Sequence, residues 1–469
     1  MVMILLLGFL IRVVFTVFVA QRFFGRSNIF VDNDTLSWSN CFRNLLETGT
    51  YTVNVQNEYG YFVRMPGYSF FLGFFYLLSG KDWTLAYKMA GWTQIFLDVI
   101  SIFLVYRIGK IIFRKERAAL ILQLLYACYP FIIVWNPVCY SESVSVLLML
   151  AGFYFFVQPE SGKNIFLSGI IWGAGALFRP QLILLTYAAV LMLFWLNRRE
   201  GQRILRTAGL LSLGFLLVFI AWPVRNYVNH QKLIITQDLR GIPKWKTDVL
   251  YFLQYINSVK TEWEPQFSEI INKKEVSWPA ASFINPEDSL KLRTAEKLSE
   301  TCGAGFELWK IKKPGQPSIE NGQDCSQQIG ELYYELYLSQ KKNNAFHYWV
   351  VLPLQNLQKA IFKFRLYDAK SAIRAWGSAL FLYRMLLIFL GIAGAAWCWR
   401  HKIIELRIIT LIAVYWLFLY VLLCSGSGPQ FRNIEIRYFL HADILLLIPA
   451  AFMIDFLFEK IFPRKILPA

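Results

Sequence analysis

The chain has 469 residues, of which 56% are hydrophobic and only 17% charged, and its mean hydropathy is +0.41. A soluble chain of this length carries closer to a quarter charged residues, so composition excludes an ordinary soluble globular protein and points to a multi-pass membrane protein. The net charge of +17 fits basic cytoplasmic loops and anionic lipid headgroups better than nucleic acid, and 16 Trp, 24 Tyr and 40 Phe suit aromatic belts at both interfaces.

In chain order, apolar runs cover 2–20, 66–79, 86–109, 118–136, 141–157, 164–178, 181–196, 207–224, 378–398, 403–423 and 438–458. The first has no basic leader and no cleavage signature, so it reads as a span rather than a removable signal. Basic clusters follow several runs. They are Lys110, Arg114, Lys115 and Arg117; Arg198, Arg199, Arg203 and Arg206; Arg400, His401 and Lys402; and Lys460, Arg464 and Lys465. The positive-inside rule wants all four in the cytoplasm. They fit on one side only if 66–79, which is about 14 residues long and opens with Pro-Gly, lies in the outer interface instead of crossing. About ten spans result, with both termini inside.

The expected architecture is an all-α integral membrane bundle with interfacial helices in the first outer loop and a sizeable outer domain. Residues 1–224 form an N-terminal membrane module with a functional outer loop at 21–85. Residues 225–377 form an extracytoplasmic block, and 378–469 form C-terminal spans. Within the outer block, 346–364 alternates apolar and basic residues at helical spacing, as does an amphipathic helix on a membrane surface. Of the seven Cys, Cys302 and Cys325 lie together in this block, where a disulfide is compatible with a loop outside the cytoplasm.

The first outer loop concentrates the chemistry. It carries Val31-Asp32-Asn33-Asp34, then Arg64-Met65-Pro66-Gly67-Tyr68. Asp34 opens a helical stripe of Trp38, Phe42, Leu45 and Leu46 that ends at Gly49. It reads either as the cap of that helix or as a general base facing an acceptor hydroxyl. Asp32 and Asp34 also suit a divalent cation, although no further ligand is evident. Arg64, Arg179, Arg225, Arg432 and Arg437 all fall at outer span ends. There they either snorkel to headgroups or grip a phosphate with a guanidinium fork. Glu142 begins a span on the same side, as a favourable helix-start charge or as a second acid of the site. Arg12 and Asp98, deep in the first two true spans, are expected to pair with each other. No Walker A, H-E-x-x-H or strand-linked G-x-G-x-x-G motif is present, and four His leave little room for a His-based metal site or triad.

These pieces, in this order, resemble the GT-C fold glycosyltransferases that use polyprenyl-phosphate sugars, among them the protein O-mannosyltransferases and the lipid A aminoarabinose transferases. The resemblance rests on Asp34 with Asn44-Leu45-Leu46-Glu47-Thr48-Gly49-Thr50-Tyr51, and on Arg64-Met65-Pro66-Gly67-Tyr68. It continues through Tyr140-Ser141-Glu142, Phe178-Arg179-Pro180, Trp222-Pro223-Val224-Arg225-Asn226 and Glu435-Ile436-Arg437-Tyr438. It departs at Trp38, where the family usually has Tyr. His441 and Asp443 stand where it often has Pro, and 240–345 matches nothing. The Trp-Trp-Asp-Tyr-Gly signature of oligosaccharyltransferases is absent.

The resemblance implies inverting transfer of a sugar from a polyprenyl-phosphate carrier to a hydroxyl of a lipid, glycan or protein. Asp34, Asp32 and Glu142 would be catalytic, and Arg64, Tyr68, Arg179, Arg225, Arg437 and Tyr438 would bind the lipid phosphate. No cofactor is obligatory, since a phosphate already leaves readily; a divalent cation is the minor option. Expected partners are the lipid-linked donor, the acceptor and membrane lipids. The expected location is a bacterial inner membrane with the site facing the periplasm. A glycosylation sequon at Asn33-Asp34-Thr35 argues mildly against the endoplasmic reticulum. A transporter or flippase of the same lipid is the main rival. Binding groups at one interface, rather than at the midplane of inverted repeats, count against it.

Overall fold

The computed structural model describes residues 1–158, 161–196, 201–242, 244–283, 285–310, 324–362, 371–425 and 436–462, and no strand occurs among them. Four described helices are long and apolar enough to cross a membrane: Val2–Phe24, Gly201–Phe219, Ser378–His401 and Arg407–Ser425. Among the other expected spans, Trp83–Phe113 is 31 residues long and carries Asp98 within it, whereas Glu142–Val157 and Leu182–Leu196 are shorter, at 16 and 15 residues.

Two elements of the first outer loop form as their sequence dictates. The Asn33–Thr48 helix stops at Gly49, whose φ of 72° is open to glycine at no steric cost. Pro66 sits in the first turn of Pro66–Leu78, a 13-residue helix of about 20 Å, too short for a hydrocarbon core of about 30 Å. A Cβ on Gly67 would come within 2.8 Å of the Leu177 carbonyl oxygen. Only glycine lets the start of this helix press on the end of Gly162–Phe178, which brings the segments bearing Arg64 and Arg179 together.

The described segments that flank the four basic clusters meet at one end of the bundle. Arg117 pairs with Asp455 and, at 3.0 Å, with Glu459. Trp397 packs on Phe456 with ring centroids 4.9 Å apart, and Trp195 on Trp399 at 6.3 Å. These contacts tie the ends of three hairpins to the end of the helix Ile436–Ile461; Arg198, Arg199, Arg464 and Lys465 lie outside the described residues. Along Ile436–Ile461, Arg437 and Asp455 are 18 residues apart, so Arg437 sits about 27 Å away, at the opposite end.

Inside the bundle, Arg12 and Asp98 pair as expected, Nε to Oδ2 at 2.5 Å, both without solvent exposure. Tyr126 donates to the other carboxylate oxygen, and Arg12 Nη1 reaches the Gly8 and Ala127 carbonyls at 2.9 Å. A second buried pair was not foreseen. Arg384 Nε meets Asp443 Oδ2 at 2.7 Å, and Tyr420 bridges the pair by accepting from Arg384 Nη2 and donating to Asp443 Oδ1. Arg384 lay in plain view within an apolar run, and a charge at that depth needs a partner.

The block expected to lie outside builds its own core from Thr247–Val259, Glu264–Ile271, Pro286–Thr301, Ala304–Trp309 and Ser326–Asn343. Phe252 is its centre, against Phe267, Phe306 and Tyr333 at 5.4–5.8 Å between rings. Cys302 and Cys325 are joined by a disulfide. The surface helix expected at 346–364 is found as a π turn, His347–Val351, running into Leu352–Ile361. Phe346, Trp349 and Leu354 are exposed along it, and its predicted end lies outside the described residues.

Candidate active site

Asp32, not Asp34, caps the Asn33–Thr48 helix. Asp32 Oδ1 accepts from the Asn33 N–H at 2.7 Å, and Thr35 Oγ1 accepts from the Asp32 N–H at 3.1 Å. Arg26 holds the outer oxygen of Asp32 at 2.7 Å. The sequence left the cap and base readings of Asp34 open. The structure moves the cap two residues back, because Thr35 is correctly placed to reciprocate it. Asp32, expected as catalytic, is thereby committed to the helix start. Asp34 is left with its side chain on the rim, 29% exposed.

Each oxygen of Asp34 meets a guanidinium. Arg64 Nη2 donates to Oδ1 at 2.7 Å, and Arg437 Nη1 lies 3.0 Å from Oδ2. Burial acts to raise the pKa of Asp34, but the two guanidiniums outweigh it and bring it from the ordinary 3.8 down to about 2. Trp38, one turn on from Asp34, lies under the Arg64 guanidinium at 4.4 Å, a cation–π contact that fixes its plane. The sequence presents Trp38 as part of the apolar helical stripe and as a departure from the family's Tyr, not as a site residue; its spacing from Asp34 was the available signal.

Glu142 is 1% exposed, and its Oε1 receives Arg179 Nη1 at 2.6 Å. Arg437 Nη1 stands 4.0 Å from the same oxygen and so bridges Glu142 and Asp34. Oε2 of Glu142 and Nε of Arg179 are buried without a hydrogen-bond partner. Ser141, which the sequence reading did not single out as a site residue, accepts from Arg179 at 3.3 Å. The Tyr438 ring lies beneath both Arg179 and Arg437, at 5.4 and 5.1 Å. Three guanidiniums therefore face two carboxylates at the mouth of the bundle, an excess of one positive charge in a half-buried setting suited to an anion.

Two expected ligands stand elsewhere, which corrects the sequence reading. Tyr68 is fully buried and donates to Gln94 Oε1 at 2.7 Å, behind the site. Arg225 donates to the carbonyl oxygens of Tyr51 and Tyr61 at 2.9 and 3.0 Å, clamping both ends of the loop that leads to Arg64. Span-end position does not reveal which way such a side chain turns. Arg432 and Glu435 lie outside the described residues. No group of three or more His, Cys, Asp or Glu among the described residues is arranged to hold a metal ion.

Residues 64–224 match the family model of dolichyl-phosphate-mannose-protein mannosyltransferases, a stretch that holds Arg64, Glu142 and Arg179. No curated protein sequence matches the chain. Among solved structures, the oligosaccharyltransferase of Archaeoglobus fulgidus tethered to an acceptor peptide is similar with a TM-score of 0.53 at 11% identity. The match covers 98% of this chain and 50% of that one. Its apo form gives 0.52 at 12% identity over the same shares. ArnT from Cupriavidus metallidurans bound to undecaprenyl phosphate gives 0.39 at 13% identity, over 100% of this chain and 80% of that one. The chain shares the GT-C-type helical fold of the archaeal enzyme, and the family model supports the resemblance read from the motifs over 64–224. The chain spans about half the length of the archaeal enzyme.

Proposed function

We propose that this protein is an inverting membrane glycosyltransferase that moves a sugar from a polyprenyl-phosphate carrier to a hydroxyl acceptor outside the cytoplasm. The observation that carries the reading is Asp34, a partly exposed carboxylate not used as a helix cap, set among arginines that outnumber the acids they hold. The family model matched over 64–224 supports a lipid-phosphate sugar as donor. The basic clusters at the far end of the bundle support an outward-facing site by the positive-inside rule. The Cys302–Cys325 disulfide in the outer block supports an oxidising compartment, such as a periplasm.

In this reading the lipid phosphate sits against Arg64, Arg437 and Arg179. An acceptor oxygen attacks the anomeric carbon as the bond from that carbon to the phosphate oxygen breaks on the opposite face. The hydroxyl proton passes to Asp34, and the polyprenyl phosphate leaves with both electrons of the broken bond. A positioned base contributes about 10²–10⁴-fold in rate. Guanidiniums aimed at the departing phosphate contribute several kcal/mol, about what other preorganised electrostatic sites supply. Glu142 keeps Arg179 and Arg437 in place.

The test is lipid mass spectrometry of cells whose only copy carries Asp34→Asn. A polyprenyl-phosphate sugar should accumulate, which names the donor, while one envelope modification disappears, which names the acceptor. Unchanged lipids and an intact envelope would remove the reading.

A further inference from the structure

Asp34 presents a conflict. A base must be able to accept a proton, yet both of its oxygens are already held by guanidiniums at 2.7 and 3.0 Å. Those same guanidiniums are the ones placed to take a phosphate. We propose that the donor's phosphate and Asp34 compete for Arg64 and Arg437, so that Asp34 becomes able to take a proton only while a lipid phosphate occupies the site. The inference rests on the reading of the protein as a polyprenyl-phosphate-dependent transferase.

The geometry makes the exchange feasible on both sides. Arg437 already spans two carboxylates, and its Nη1 is 4.0 Å from Glu142 Oε1. It can let go of Asp34 without becoming an uncompensated charge. Arg64 rests on the Trp38 face, and its Nε is buried without a partner, so its fork has a donor to spare for a second anion. The site's excess of one positive charge matches a sugar-phosphate diester, and it favours the more highly charged phosphate monoester that the reaction leaves behind.

Once the two arginines turn away, the groups facing Asp34 are Asp32 on its own helix, Tyr140 and Glu142 on the neighbouring turn, and the bound phosphate. Arg26 is taken by Asp32 and Arg179 by Glu142. Among the described residues no other guanidinium takes their place, and the charge of Arg64 and Arg437 is then offset by the phosphate, so the proton affinity of Asp34 rises from its depressed value at the moment an acceptor needs a base. An empty site keeps a weak base. That arrangement also spares the enzyme an exposed reactive carboxylate between turnovers.

The experiment uses the full chain in lipid nanodiscs with undecaprenyl phosphate as the probe, and measures affinity and proton uptake by calorimetry in buffers of different ionisation heat. Asp34→Asn frees both arginines. The variant should bind the probe about tenfold or more tightly than the wild type, a usual scale for coupled sites, although it is inactive in transfer. Wild-type binding should also take up protons beyond the amount seen for Asp34→Asn, which accounts for the phosphate's own titration. If the variant does not fold, wild-type proton uptake is compared instead with Arg437→Gln, in which one competitor is already gone and uptake should fall. Affinity that is unchanged or weaker in Asp34→Asn, with equal proton uptake, overturns the exchange while leaving a lipid-phosphate site intact. Failure of the wild type to bind the probe at all overturns the transferase reading itself.

Discussion

Two sets of arginine–aspartate contacts in this molecule use the same chemical groups to opposite ends. Arg12–Asp98 and Arg384–Asp443 lie within the bundle, one guanidinium to one carboxylate, with tyrosines on the remaining oxygens and no more than 2% exposure. The cluster at the mouth has three guanidiniums for two carboxylates, and one of those carboxylates is open to solvent. Balance and access separate the two. A matched, sealed pair neutralises charge in a medium that tolerates none, whereas an unmatched, open cluster retains capacity for a ligand.

That contrast can be broken most severely at the site. Asp34→Asn should lower transfer by about 10²–10⁴-fold, with thermal unfolding close to the wild type, as measured by product formation from the lipid-linked donor and by a melting curve. Arg437→Ala should cost about 10²–10³-fold in transfer and weaken donor binding, because it removes a phosphate donor and the bridge to Glu142. Within the bundle the readouts reverse. Asp98→Ala leaves Arg12 buried alone and should destabilise the fold by about 3–5 kcal/mol, seen as lost yield and a lower unfolding temperature. Cys302→Ser should cost the outer block about 2–4 kcal/mol without altering donor binding.

The smallest effect sharpens the comparison by pH. The folded-state pKa of Asp34 lies below its ordinary value, so its pairing stabilises the protein fully above 3.8 and is lost as pH falls towards about 2. Unfolding of the unliganded protein should therefore show no contribution from Asp34 between pH 5 and 8. A titration in that window that Asp34→Asn abolishes would mean that the two arginines do not hold it.

Much of this could be read from the sequence, for a physical reason. A charged residue inside or beside an apolar run is costly, so its presence announces a partner or a purpose. Arg12 with Asp98, and Asp34 with Arg64 and Arg437, were found that way, and Gly49 marked a helix end by its backbone freedom. Arg384 obeyed the same rule and was overlooked. Directions were harder to read. Spacing cannot say that Tyr68 turns inward to Gln94, that Arg225 reaches back to the carbonyls of its own first loop, or that Asp32 outcompetes Asp34 for the helix start. Each is decided by a neighbour distant in sequence or by a single side-chain bond. The outer block 240–345 matched no motif, yet its fold follows ordinary aromatic packing around Phe252.

The two arginines on Asp34 come from opposite extremes of the chain, positions 64 and 437. Synthesis of the first loop makes only half the clasp. The second half arrives with the helix Ile436–Ile461. Until then the carboxylate has no Arg437 beside it, and the three-guanidinium cluster is incomplete. A chain made only as far as its first loop therefore holds Asp34 by one guanidinium alone, and the cluster that outnumbers its acids exists only once both halves are in place.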